Sequence, residues 1–158
     1  METWRERVER AYDSRVNAEG TSSRPAFYPP CGIHQINQAE ERLGVSLPAG
    51  LKSLLLESDG LMDLLSVDGH EYFESLWLVW PIEMIVNENQ RVTQQGTVDR
   101  LFFASAGTDG ILFGCPASLN DDAECAVLAW YPMEDRIVPL ADSLGEFIEG
   151  WLANRLTV

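Results

Sequence analysis

The stretch from Ala39 to Gly60 constrains this fold more than any other, because it writes two short helices together with both of their stops. Ile33, Ile36, Ala39 and Leu43 recur at helical spacing, and Gly44 follows where a left-handed C-terminal residue belongs. Val45-Ser46-Leu47 leads into Pro48, which suits a first helical position because the N–H it lacks has no intrahelical partner there. Leu51, Leu54 and Leu55 give the second helix its apolar face, and Asp59-Gly60 ends it.

The rest of the chain divides around this pair. Trp4, Val8, Tyr12 and Val16 recur every four residues behind a Thr3/Glu6 capping box, which predicts a first helix within residues 1–17. Residues 18–30 are rich in Gly, Ser and Pro and read as linker-like, with Phe27 and Tyr28 as anchors, before a single domain over 31–158. Gly60 to Gly69 reads as a turn-rich passage. Leu76 to Trp80 reads as a strand, followed by a helix that Pro81 opens and Asn87 to Asn89 close.

After Arg100 come four short strands at intervals of about a dozen residues: Leu101 to Ser105, Ile111 to Cys115, Ala126 to Tyr131 and Arg136 to Leu140. Turns at Gly107 to Gly110, Pro116 to Ala123 and Pro132 to Asp135 favour an antiparallel meander. Leu144, Phe147, Ile148, Trp151 and Leu152 mark a C-terminal helix behind Ser143 and Glu146. The expected class is α+β: a mostly antiparallel twisted sheet with helices on one face and a helix at the C-terminus.

Glu40, Arg42, Leu43, Gly44, Leu47, Pro48, Leu51, Leu54, Leu55, Asp59 and Gly60 together form a pattern that closely resembles the SUKH superfamily, which includes fungal cell-wall-assembly regulators and many bacterial immunity proteins. Trp77 to Ile85 resembles that family's strand running into a helix opened by proline. Leu101 to Gly110 is similar to its strand and small-residue turn ending in Asp-Gly. The resemblance spans residues 27 to 153. It implies a domain that binds another protein. In bacterial members it implies immunity, by binding and blocking a cognate toxin that is often a nuclease; in fungal members it implies a regulatory scaffold that inhibits nothing.

Length and an apolar fraction of 46% are those of one domain with a real core. No run of apolar residues is long enough for a membrane helix, and the first ten residues alternate charges instead of forming a signal peptide, so a cytoplasmic location is expected. Cys31, Cys115 and Cys125 are odd in number and lack metal-binding spacing, so free thiols are expected. Arg outnumbers Lys ten to one, a bias of GC-rich bacterial coding sequences.

Charge is distributed unevenly. Residues 1–52 hold seven basic and seven acidic side chains, and residues 53–158 hold four basic and eighteen acidic ones, so the net charge of −14 falls wholly in the second part. Between Ser53 and Gln90 lie Glu57, Asp59, Asp63, Asp68, Glu71, Glu74, Glu83 and Glu88 with no Lys or Arg. Such a field repels nucleic acid and anionic lipid, whose recognition requires cations, and attracts a basic partner. An acidic surface also serves plain solubility.

Trp77 and Val79 alternate with Leu76, Leu78 and Trp80, so strand geometry puts Trp77 and Trp80 on opposite sides. Trp77, beside Glu71, Tyr72, Phe73 and Glu74, is the candidate contact hot spot. The expected partner-binding set is therefore Glu57, Asp59, Asp63, Asp68, Glu71, Glu74, Trp77 and Glu83.

The chain offers little for catalysis. Its two histidines, His34 and His70, stand apart; His34 is three residues from Cys31, whereas thiol–base pairs usually join distant segments. Asn120 to Glu124 lacks the glycine and terminal glutamate of a calcium loop, and Gly107 to Gly110 lacks the length and lysine of a phosphate loop. The expected protein is thus not an enzyme and takes no cofactor or metal. It is expected to be a monomer or weak dimer that binds a basic protein toxin, with the regulatory scaffold as the alternative.

Overall fold

The computed structural model describes residues 1–94, 99–118 and 124–158, the side chains of 71–75 and 94 excepted. Among the described residues the order is α1 (Trp4–Asp13), β1 (Thr21–Phe27), α2 (Ile33–Leu43), α3 (Ala49–Glu57), β2 (Leu61–Val67), β3 (His70–Val79), α4 (Ile82–Gln94), β4 (Arg100–Ser105), β5 (Leu112–Pro116), β6 (Val127–Tyr131), β7 (Arg136–Ala141) and α5 (Leu144–Leu152). The strands form two antiparallel sheets, β1-β2-β3 and β4-β5-β6-β7. The class is α+β with a C-terminal helix, as expected.

The helix pair forms as its residues dictate. Gly44 closes α2 at φ 73°, and Ile36, Ala39, Leu51, Leu54 and Leu55 are buried. Pro48 takes the cap position with extended backbone, one residue before the helical run begins. At the N-terminus the reciprocal capping box is complete, with the Glu6 N–H donating to Thr3 Oγ1 (3.1 Å) and the Thr3 N–H to Glu6 Oε2 (2.8 Å). At α5 it is half made: the Glu146 N–H donates to Ser143 Oγ, while the Glu146 carboxylate accepts from the Asp142 N–H.

Three local expectations are corrected. The linker-like segment contains β1, whose residues pair one for one with β2 from Thr21↔Val67 to Phe27↔Leu61. It is an edge strand, which is where a sheet tolerates a residue such as Pro25. The turn-rich passage from Gly60 is strand β2, and its real turn is Asp68-Gly69, both at positive φ (51° and 79°), as in a type I′ hairpin. Helix α4 runs past Asn87 to Asn89. Asn89 instead points inward, donating to the carbonyls of Ile85 and Phe102 (2.7 Å each) and accepting from the Phe102 N–H (2.8 Å). Its amide thus pairs both backbone groups of Phe102 as a neighbouring strand would, closing the β4 edge.

The sheets join where the Trp80 N–H donates to the Phe103 carbonyl at 2.8 Å. The core continues from there into the rings of Phe103, Phe113, Phe147 and Trp151, which mesh at centroid separations of 4.9 to 6.2 Å between the four-stranded sheet and α5. Leu78, Val79 and Trp80 are all buried, because β3 runs at this end into the space between sheet and helices, where both of its sides are covered.

Candidate functional site

Strand alternation gives the three-stranded sheet two unlike sides. Leu61 and Asp63 point to one, Met62 and Leu64 to the other. Helix α1 lies on the first. Arg5 stacks on Phe27 at 4.1 Å, and the Tyr12 hydroxyl donates to Asp63 Oδ1 at 2.7 Å. On the second side Met62 pairs with Trp77 and Ala26, and Leu64 with Arg24. Tyr28 leans onto Trp77 with ring centroids 5.4 Å apart, and its hydroxyl meets Met62 Sδ at 3.7 Å. Tyr28, Met62, Leu64 and Trp77 are each half-buried. Tyr28, Met62 and Trp77 form an aromatic and thioether patch on this side, and α1, the helix that packs along the sheet among the described residues, is on the other side.

The Trp77 ring is held from behind. Gly60 has φ 96°, and a Cβ there would stand 2.9 Å from the ring and 3.0 Å from the Pro81 nitrogen. The glycine therefore supplies both a conformation and a clearance that no other residue offers. The result is a rigid, part-exposed indole.

Among the described residues, the expected contact residues do not gather on one surface. Asp63 is buried and neutralised by Arg15 at 3.0 Å. Glu57 accepts from the Trp4 N–H (2.9 and 3.1 Å) and so caps α1 from outside. Asp59 accepts from the Ile82 N–H at 2.8 Å and caps α4. Two of these carboxylates satisfy helix-start donors and the third a half-buried cation, so all three hold the fold together. Asp68 is exposed on the hairpin turn, and Glu83 is exposed and 3.4 Å from Arg42. The side chains of Glu71 and Glu74 lie outside the described residues. Among the described residues Trp77 is the one expected residue on the aromatic surface, and sequence reasoning missed Met62 and used Tyr28 only as an anchor.

Folding also blurs the charge asymmetry. Arg7 pairs with Glu149 at 2.6 Å and Arg15 with Asp63 at 3.0 Å, while Arg10 pairs with Glu2 and approaches Glu149 at 3.7 Å, so part of the N-terminal basic charge lies against the acidic part.

Reactive chemistry is sparse. Burial foremost, and then the Asp59 carboxylate, pushes the Cys31 thiol up to about 12, which makes it inert at neutral pH. His34 beside it in sequence is exposed. Among the described residues no group of three or more His, Cys, Asp or Glu is placed to hold a metal ion, and no helix is long and apolar enough to cross a membrane.

No curated protein matches this sequence. The profile of the SMI1 / KNR4 family (SUKH-1) matches residues 30–150, which carry the helix pair, the β2–β3 hairpin and the whole four-stranded sheet. The chain belongs to the SMI1 / KNR4 (SUKH-1) family.

Proposed function

We propose that this protein is a cytoplasmic bacterial immunity protein that binds and blocks a cognate protein toxin of basic character, a nuclease being the kind its charge suits best. The observation that carries this reading is the Tyr28–Trp77 pair on the side of the three-stranded sheet opposite α1. Large, rigid, part-exposed aromatics with a methionine beside them are the composition of interface hot spots, since they bury much apolar area at low entropic cost. The net charge of −14 adds long-range attraction for a cationic partner. A nuclease site built to receive phosphate offers such cations.

Within this reading Trp77 is the anchor, Asp68, Glu71, Glu74 and Glu83 add to the attraction for a basic partner, and Glu57, Asp59 and Asp63 serve the scaffold. Residues 31–158 form the binding domain, to which β1 adds Ala26 and Tyr28 follows it. The protein acts by occupancy, without catalysis or cofactor. Co-expression with toxins encoded beside its gene tests the proposal: growth rescue and a stable complex support it, and lethality without complex formation against every neighbouring toxin overturns it.

A further inference from the structure

Two hairpin turns of the four-stranded sheet, the one between β4 and β5 and the one between β6 and β7, border a groove of about 450 Å³. They approach so closely that a Cβ on Gly110 would stand 3.4 Å from Pro132 Cγ. An aspartate at positive φ sets each turn, Asp109 at 54° and Asp135 at 47°. Asp135 also accepts from the Trp130 indole N–H at 3.0 Å, which fixes the second turn to the core. Ile111, at 4% exposure, lies deepest in the groove, Tyr131 and Pro132 are half-buried, and Met133 stands out at 88% exposure. An exposed thioether on a fixed turn is an adaptable apolar contact.

Charge around the groove is uneven. The Asp109 carboxylate has no hydrogen-bond or ion-pair partner among the described residues. Glu134 is 3.9 Å from Arg136, with 62% and 57% of their side chains exposed, a distance and exposure at which an ion pair is worth little. Arg136 itself is turned onto the Tyr131 ring, 4.3 Å from its centroid. Apolar walls thus stand beside two carboxylates open to an outside cation. A second copy of this chain, carrying −14 as well, is repelled.

We propose that this groove docks a basic segment of a partner protein, with an apolar side chain over Ile111 and Met133 and a neighbouring Arg or Lys at Asp109 and Glu134. Long cationic side chains suit such a site because their apolar stems lie along the walls while the charged heads reach the carboxylates. The proposal shares with the reading above only the basic character of the partner. Its residues lie outside the Tyr28–Trp77 patch, and its test needs no toxin.

The methionines of the chain are Met1, Met62, Met84 and Met133, so methyl-labelled methionine puts one NMR reporter in the groove and another in the aromatic patch. The test is to titrate the labelled protein with an acetylated, amidated Leu-Arg-Leu-Arg peptide and with its Leu-Glu-Leu-Glu counterpart. The expected result is a saturable shift of the Met133 methyl resonance with the arginine peptide alone, and an affinity lowered about fivefold when Asp109→Asn and Glu134→Gln are combined. Asparagine accepts the positive φ at position 109 and Glu134 is exposed, so that variant keeps the fold. A Met133 methyl that the arginine peptide leaves unmoved, an equal shift with the glutamate peptide, or a double variant that titrates as the wild type does overturns the proposal. A shift confined to Met62 overturns it too, while leaving the aromatic-patch reading standing.

Discussion

Arg15 and Asp63 meet at 3.0 Å with 15% and 10% of their side-chain surfaces exposed, and the Tyr12 hydroxyl donates to the same carboxylate. This pair fastens the chain after α1 to the middle strand of the three-stranded sheet. It is also the clearest case of a carboxylate that the charge pattern offers to a partner and the fold keeps for itself.

Removing one member leaves the other charge buried and uncompensated, whereas replacing both by apolar residues removes two desolvation costs together. Asp63→Ala is therefore expected to cost about 3 kcal/mol, and Asp63→Leu combined with Arg15→Met to recover most of that loss. Urea denaturation of the two single variants and the double variant measures the coupling.

Gly60→Ala places a methyl group against the Trp77 ring and Pro81 at a backbone angle of φ 96°. A loss of about 2 kcal/mol is expected from strain and clash together. A shift in tryptophan emission should accompany it, because the indole must move, and fluorescence-monitored unfolding reads both.

How much of this was legible in the sequence depended on whether one local signal dominated. Gly44, Pro48 and the Leu51/Leu54/Leu55 stripe announce their helices because cap and periodicity agree. The strands after Arg100 were legible because short apolar runs are cut by turn residues, Asp109-Gly110 again at positive φ (54° and 69°); most of the turn expected at Pro116 to Ala123 lies outside the described residues. Strand β1 was not, since Thr21, Ser22, Ser23, Arg24 and Pro25 have a loop's composition, and its strand character comes from pairing with β2. Asp68-Gly69 did carry a hairpin signal, but the apolar residues before it, Leu61, Met62, Leu64 and Leu65, broken only by Asp63, show no simple alternation because both sides of β2 are partly covered. The carboxylates of the site were the least legible. Charge is visible in sequence, but whether Asp59 faces solvent or the Ile82 N–H is decided by the packing of distant elements.

Alkaline pH should destabilise the fold. The Cys31 thiol is raised from 9.0 to about 12 in the folded state, so above pH 9 the unfolded chain releases a proton that the native one keeps. The stabilising contribution is complete below pH 9 and is lost as pH rises through about 12. Burial raises the Tyr12 hydroxyl as well, with Asp63 adding to it, and this extends the loss upward from pH 10. Thermal melts between pH 7 and 11 should show falling stability above pH 9, and Cys31→Ala should lessen the first part of that fall, to which the buried Cys125 thiol, raised as well, also contributes.

Partner association should depend on ionic strength mainly through its rate. Raising salt from low to high concentration is expected to slow the on-rate by about tenfold with little change in dissociation, the mark of steering by charges outside the contact. Stopped-flow mixing with the toxin that co-purifies measures both rates.

The most direct test of the account is to co-express the wild type and the Trp77→Ala and Tyr28→Ala variants with each toxin encoded beside the gene, and to titrate every complex that purifies. The account predicts rescue and a tight complex for the wild type, with each variant folded but binding more weakly by about 2 kcal/mol, roughly 30-fold. A wild-type complex whose affinity is untouched by both substitutions would contradict it, because the partner would then be bound somewhere other than the aromatic side of the three-stranded sheet.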